Sequence, residues 1–414
     1  MTSLQPQRAL DEMKTLRQLT SDNNGNQRVV FTPVWKTALD WFTDKLDELG
    51  LPWRKDLAGN LWATLEGERP QALVIGGHLD SVPNGGWLDG CWNVMAGLEV
   101  IRAYKLAGVK PPVTLKLVNW CDEEGARFGR SLFGSSAFSG HLDPEAVGKL
   151  RDKDGISVAE AALAYGIDIS RAVEAKAEQK GIAAYLELHI EQGPVLEGLG
   201  LPLGAVLGTV GVERNLISFH GQAAHSGSTP MAVRKDAFLA AAKMAQEIYV
   251  IAERHGGVCT IGSCVTKPGI VTSVVEDCTI TLDQRHLDAG HLAAMWAEAQ
   301  AAANKFAAEG NVSVTFADLW RIHPILFHPE LTEFCDQAIV ETVGTSHKLP
   351  SGPLHDAAEV CRAGIPTQML FVQSLRGISH NKIEDTKEEH LLASVTALAK
   401  LTAKTIDWLV AKPV

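Results

Sequence analysis

The sequence predicts an α/β protein: a mostly parallel-sheet domain interrupted by an inserted α+β domain of β-α-β-β-α-β order. Three observations predict this. Strand-like and helical patterns alternate up to about residue 208. Strands then follow one another within a compact stretch, and after about residue 325 the first pattern returns. A chain of 414 residues also exceeds one ordinary core. We place the outer domain at 1–209 and 326–414 and the insert at 210–325.

The elements follow in order. Residues 7–20 read as an amphipathic helix. Thr32 can cap a second helix, with Pro33 suited to its first turn and Gly50 to its stop. Trp35, Leu39, Phe42, Leu46 and Leu49 keep helical spacing between them. Strands are expected at 61–66 and 72–77, then a turn rich in Gly, Pro and Asn, then a helix marked by Val94, Leu98 and Ile101. Residues 114–120 form a strand, 143–181 a charged, surface-lying helical stretch, and 183–191 another strand. In the insert we expect strands at 212–220, 258–266, 278–286 and 312–319, with helices at 235–254 and 291–308. Helices at 330–342 and 355–363 and a buried strand at 367–372 follow. Thr386 and Glu389 have the spacing of a capping box for the last helix.

Composition excludes several classes. The hydrophobic and charged fractions, 46% and 21%, are those of a globular protein. Net charge is −11, which disfavours nucleic acid or an anionic membrane as partner. No apolar run approaches the ~20 residues that cross a bilayer. Seven dispersed cysteines, none in a C-x-x-C pair, suit a reduced setting, and no signal pattern opens the chain. A cytoplasmic enzyme or binding protein for small molecules is the expectation.

Metal-capable side chains stand at or just past four predicted strand ends: His78, Asp80 and Asp89; Asp122, Glu123 and Glu124; His189 and Glu191; and His380. Parallel strands end along one edge of a sheet, so these groups can converge. His78 is a candidate ligand with Asp80 as its orienting carboxylate, and Asp89 a second ligand. Of Glu123 and Glu124, one could bind metal while the other takes a proton from water. The alternative is acidic residues that merely favour a helix start. Three His with several carboxylates suit Zn, Mn or Co.

The motifs GGHLDSVPNGGWLDG at 76–90, DEEGARFG at 122–129 and ELHIEQGPVLE at 187–197 carry a family resemblance. So do AAHSGSTPM at 223–231, LDQRHLD at 282–288, SGPLHDA at 351–357 and GISHN at 377–381. In this order they resemble the binuclear-metal amidohydrolases that include N-carbamoyl-L-amino-acid amidohydrolases, allantoate amidohydrolases and bacterial β-ureidopropionases. That group lies within the wider aminoacylase and carboxypeptidase-type metallopeptidases. The resemblance implies two divalent ions per subunit, with His78 and His189 each binding one of the two and Asp89 bridging both. It implies Glu124 and His380 as the remaining ligands, Glu123 as general base and Asp80 behind His78. His225 would support the oxyanion, often from the second subunit of a homodimer joined through the insert, which also acts as a lid. Read alone, His225 is a polar loop residue. Arg285 would hold a substrate carboxylate, its alternative being an ion pair with Asp283 or Asp288. Gln192 and His355 match positions near the substrate, with Asp356 behind His355.

Two departures fall on substrate recognition. The family usually has Asn where this chain has Thr272, and Thr offers no amide donor pair. Within Ser351-Gly352-Pro353-Leu354-His355, Pro353 removes a backbone donor and Leu354 adds apolar bulk. The expected reaction is hydrolysis of an N-carbamoyl amino acid to amino acid, ammonia and CO2. Allantoate or a small N-acyl amino acid is the alternative. Outside this chemistry stand a cysteine amidase using Cys121, which lacks a nearby activating His or Lys, and a non-catalytic binding protein.

Overall fold

A computed structural model describes residues 3–412. The chain divides into two compact units. One comprises the chain up to Gly208 and from Phe327 onward, the other Thr209–Leu326.

The first unit is built on four adjacent parallel strands, in the order Val113–Trp120, Arg69–His78, Ile182–Ile190 and Thr367–Val372. Antiparallel strands flank them. Leu61–Leu65 and then Trp53–Lys55 extend one side, and Leu203–Thr209 pairs with Thr367–Val372 on the other. The sequence reading lacks Trp53–Lys55, Leu203–Thr209 and Lys348–Ser351; the first and last carry too few residues to show a period, and Leu203–Thr209 is buried at nearly every position and shows no alternation.

The central strands are covered on both faces, which is why they read as continuous apolar runs. Leu73, Ile75, Leu115, Leu117, Leu186 and Leu188 enter one core with the helices Pro6–Thr20, Pro33–Glu48, Cys91–Leu106 and Glu388–Ala411. Val74, Val118, Trp120, Tyr185 and Phe371 enter the opposite core with Phe138 and Val360. Alternate side chains thus serve alternate layers. Cys91–Leu106 is buried over residues 91–103 and has no polar face, unlike the amphipathic Pro33–Glu48. At the start of the latter, Thr32 Oγ1 accepts from Trp35 N at 3.3 Å, and Pro33 occupies the first turn.

Two local expectations fail for identifiable reasons. The 143–181 stretch is not one surface helix. Asp143, Ser157 and Asp168 each cap a new short turn, giving Pro144–Gly148, Val158–Leu163 and the 3₁₀ segment Ile169–Gln179. Val147, Ala162, Ala172 and Ala175 from these pieces are buried. The capping box at Thr386 is also absent. The helix opens at Glu388, and Thr386 Oγ1 instead donates to Gln373 O beyond the Thr367–Val372 strand.

The second unit is a five-stranded antiparallel sheet. Gly211–His220 lies between Asp277–His286 and Ser313–Ile322. The expected strand at 258–266 is two, Val258–Thr260 and Cys264–Lys267, both paired with Asp277–His286. Ile217, Phe219, Cys278, Ile280 and Leu282 meet Met244 and Ile248 of helix Ala237–His255 and Ala299 and Ala303 of helix Ala289–Glu309.

Candidate metal centre

The parallel register brings the polar groups of the first unit together. His78 is the last residue of its strand and pairs with Trp120, the last of the neighbouring one. Both chains therefore turn off the sheet side by side. Asp80 ties the two turns. Its Oδ1 accepts from Glu123 N at 3.3 Å and its Oδ2 from Glu124 N at 3.1 Å. Asp122 takes a left-handed conformation (φ 55°), and its Oδ1 accepts from Gly125 N at 3.1 Å. Fully buried Arg28 braces the same turn by donating from Nε to Leu79 O at 2.7 Å. Gly90 (φ +66°) closes the opposite wall, and a Cβ there would stand 2.2 Å from the His78 ring. Only glycine fits both the backbone and the space.

Asp89 is the hub. Its Oδ1 lies 3.3 Å from His189 Nε2 and 3.8 Å from His78 Nε2. Its Oδ2 lies 3.3 Å from His380 Nε2, which is also 3.3 Å from Glu124 Oε2. Two donor sets result, His78–Asp89–His189 and Asp89–Glu124–His380, sharing one carboxylate. The two buried histidines therefore face the same Asp89 oxygen. This grouping differs from the one the family resemblance implies, in which His78 and His189 each bind one of the two ions.

The donor chemistry fits a cation. His189 Nδ1 lies 2.8 Å from the carbonyl oxygen of Ile190, so that nitrogen carries the ring proton. The Nε2 lone pair is left facing a carboxylate oxygen, an arrangement that repels unless a positive ion intervenes. His78 Nε2 is buried with no hydrogen-bond partner. Its Nδ1 faces Asp80 O at 3.2 Å, and its Nε2 is 3.6 Å from Glu123 Oε2. Such N/O sets hold Zn, Mn or Co.

Electrostatics show the same stress. Burial works to raise the Asp89 carboxyl, yet the His380 hydrogen bond and nearby histidine charges hold it well below the usual range. His380 is pushed up to about 11 by hydrogen bonds to Asp89 and Glu124. Burial works to lower His78, but Glu123, Asp80 and Asp89 drive it well above its ordinary value. Burial lowers His189 to about 4. Burial pushes Glu123 well up despite the opposing pull of His78. Glu124 is raised by burial and then by Asp89.

The remaining predicted residues divide. Gln192 Nε2 donates to Asp89 Oδ2 at 2.8 Å and to Ser379 Oγ at 3.0 Å, so it orients the hub. His355 is buried with its ring centroid 4.2 Å from that of His189, and its Nε2 lies 3.0 Å from Ser351 Oγ. Asp356 does not bond to His355; its Oδ1 accepts from Ser135 Oγ. Gly352, Pro353 and Leu354 form the partly exposed turn before His355, where Ser351 Oγ donates to Pro353 O at 2.8 Å. Glu191 caps the next helix by accepting from Val195 N and Leu196 N.

His225, Thr272 and Arg285 lie in the second unit. The His225 and Thr272 loops are joined by Ser226 N donating to Thr272 O at 3.0 Å and Val274 N to Ala224 O at 2.8 Å. His225 Nδ1 accepts from Gly227 N and Ser228 N, leaving its exposed Nε2 as the protonated nitrogen. Arg285 Nε donates to Asp283 Oδ1 at 2.8 Å, and Asp283 also accepts from Arg214. Cys121 is fully buried, and burial drives its thiol well up, opposite to an activated nucleophile.

Glu187 and Glu384 escaped the sequence reading. Glu187 is two residues from His189 on the same strand face, where Tyr185 Oη donates to its Oε2 at 2.6 Å. Its place in the alternation marks it, although charge in a buried strand reads as an exception. Glu384 lies in a polar loop with no periodicity and gave no signal. It is 2% exposed and accepts from Leu88 N and Asp89 N.

Comparison with known proteins is consistent with this geometry. Residues 74–404 match the model of Peptidase family M20/M25/M40. The chain is 38% identical over 371 residues to an N-carbamoyl-L-amino acid amidohydrolase of Geobacillus stearothermophilus, covering 89% of this chain and 90% of the relative. It is 33% identical over 384 residues to an allantoate amidohydrolase of Escherichia coli K12, covering 91% and 92%. A crystal structure of an amidase of the hydantoinase/carbamoylase family from Burkholderia multivorans superposes with TM-score 0.87 at 29% identity, covering 100% of this chain and 99% of that one.

The buried carboxyls make the metal-free protein pH-sensitive. Burial raises Glu187 and Glu384 from 4.5 to about 7. The unfolded chain releases these protons at lower pH than the folded one, so stability is lost as pH rises from about 4.5 to about 7. With metal chelated, the wild-type midpoint should lose more, or gain less, across that window than the midpoint of Glu187→Gln, with His189, lowered to about 4, working in the opposite direction in both proteins. Equal slopes in the two proteins contradict the assignment.

Proposed function

The chain belongs to peptidase family M20/M25/M40, and from that premise we propose that it hydrolyses N-carbamoyl amino acids to the amino acid, ammonia and CO2. It is a hydrolase of carbon–nitrogen bonds other than peptide bonds. The metal-dependent part of this reading rests on the lone pair of His189 Nε2 facing Asp89 Oδ1 at 3.3 Å, which calls for a cation between them, and the carbamoyl substrate is supported by the Geobacillus stearothermophilus relative. His78, Asp89 and His189 would hold one divalent ion, and Asp89, Glu124 and His380 the other. Ions bound there supply Lewis acidity that polarises the scissile carbonyl and eases deprotonation of the attacking water.

The chain's own groups do the rest. Glu123 takes the proton from water through its carboxylate and returns it to the leaving nitrogen as the C–N bond breaks. Asp80 fixes Glu123 and Glu124 through their backbone N–H groups, so base and ligand share one anchor. Gln192 holds Asp89 Oδ2. In this reading His225 offers its Nε2–H to the developing oxyanion. Arg285, today forked onto Asp283, binds the substrate carboxylate, and His355 lies at the substrate's side. Thr272, Gly352, Pro353 and Leu354 then decide which substrates fit. Apolar Leu354 favours a substrate with a larger apolar group, and Thr272, without an amide donor pair, weakens the hold on an ordinary α-carboxylate. Allantoate hydrolysis is the second reading, supported by the Escherichia coli relative.

Ammonia release across N-carbamoyl amino acids, allantoate and N-acyl amino acids tests the substrate. Turnover of allantoate alone selects the second reading, and turnover of N-acyl amino acids alone overturns both. Glu123→Gln should keep its metal and lose about 10²–10⁴-fold in kcat, the usual scale for a general base. Metal loss in that variant would make Glu123 a ligand. The family resemblance also supports a homodimer through residues 210–325, for which sedimentation at micromolar concentration should give twice the chain mass. A monomer there refutes it.

A further inference from the structure

Glu384 is a carboxylate with 2% exposure, and among the described residues no basic side chain forms an ion pair with it. Burying a carboxylate without a cation is costly unless hydrogen bonds replace its water. Its bonds all come from the two loops that carry Asp89 and His380. Oε1 accepts from Leu88 N at 3.0 Å and from Asp89 N at 3.1 Å. Oε2 accepts from Ser379 Oγ at 2.8 Å, and Ser379 is the residue before His380. Ser379 Oγ also lies 3.2 Å from Asp89 Oδ2. Space for the carboxyl exists because residue 86 is glycine; a Cβ there would stand 2.0 Å from Glu384 Cδ.

We propose that Glu384 is a positioning residue that holds the Asp89 loop and the His380 loop in one geometry, so that Asp89, Glu124 and His380 form a ligand set. The inference rests on the two-metal reading above. His78 and His189 stand on regular strands, whose ladders fix their backbones. His380 stands on a loop in a left-handed conformation (φ 53°), and Asp89 precedes a helix rather than lying in one. These two ligands depend on local clamps: Gln192 bridges the Asp89 and Ser379 side chains, and Glu384 ties the backbone of the Asp89 loop to the His380 loop. The Asp89–Glu124–His380 set should therefore fail first when Glu384 is removed.

The test uses the full chain, stripped by chelation and titrated with Mn²⁺ alone. Ions per chain are counted by elemental analysis and the two affinities are read by calorimetry. Glu384→Ala should bind the second ion about 10–100-fold more weakly, the usual loss for a partner behind a ligand, and lose less for the first, which shares Asp89 but also has His78 and His189 on their strands. Glu384→Gln should recover most of this, since its amide oxygen still accepts from both backbone N–H groups. Ser379→Ala, a milder change, should weaken chiefly the second ion, and it replaces Glu384→Ala if that variant does not fold. Two ions bound at wild-type affinity by a folded Glu384→Ala or Ser379→Ala protein would overturn the proposal and leave the two-metal reading standing. A wild-type chain that binds fewer than two ions would overturn both. In steady-state kinetics the loss should fall on kcat with KM little changed, and a KM effect alone would also count against a role through the ligands.

Discussion

One carboxylate, that of Asp89, governs the structure around the site. Its two oxygens face three imidazoles, two of them buried, with Glu123 and Glu124 close behind. In a region of low dielectric, such a gathering of acceptors and negative charge is tolerable only with positive charge among them. The clustered carboxylates accordingly drive His78 and His380 upward. Burial holds His189 low, and its Nδ1 faces the Ile190 carbonyl. The site is therefore shaped for cations held by nitrogen and oxygen, and the fold has to keep the repelling groups from separating.

That restraint comes from a ring of polar contacts around the ligands. Asp80 pins the backbone of Glu123 and Glu124, Gln192 pins Asp89, and Glu384 pins the peptide on which Asp89 stands. Arg28, buried without a carboxylate partner, holds Leu79 O. Apart from the Gln192 side-chain bond, these contacts use backbone groups outside the sheet ladders, so the bonds that close the loops also aim the ligands. Gly86 and Gly90 complete the arrangement by leaving room for the Glu384 carboxyl and the His78 ring.

Some of this was legible in the chain. The four central strands announced themselves as apolar runs because both faces are covered, and the insert's strands and two helices follow the expected order except that the strand at 258–266 is two. His78, Asp89, Glu124, His189 and His380 were marked by their place at or beyond strand ends. The 143–181 stretch misled because its charge hides three separate caps over buried alanines. Thr386 misled because a spacing that suits a capping box served a bond to Gln373 instead.

By itself the sequence determined the class of fold and the chemical inventory at the sheet edge, because burial periodicity and side-chain type are local properties. Only the tertiary structure decided how that inventory is shared. It put His78 and His189 on the same oxygen of Asp89, turned Asp80 towards two backbone N–H groups, moved Gln192 to the hub and brought Glu384 under it. Those outcomes depend on distances between residues as far apart in the chain as Asp89 and Glu384. Such distances are set by strand register and loop closure, and no local pattern encodes them.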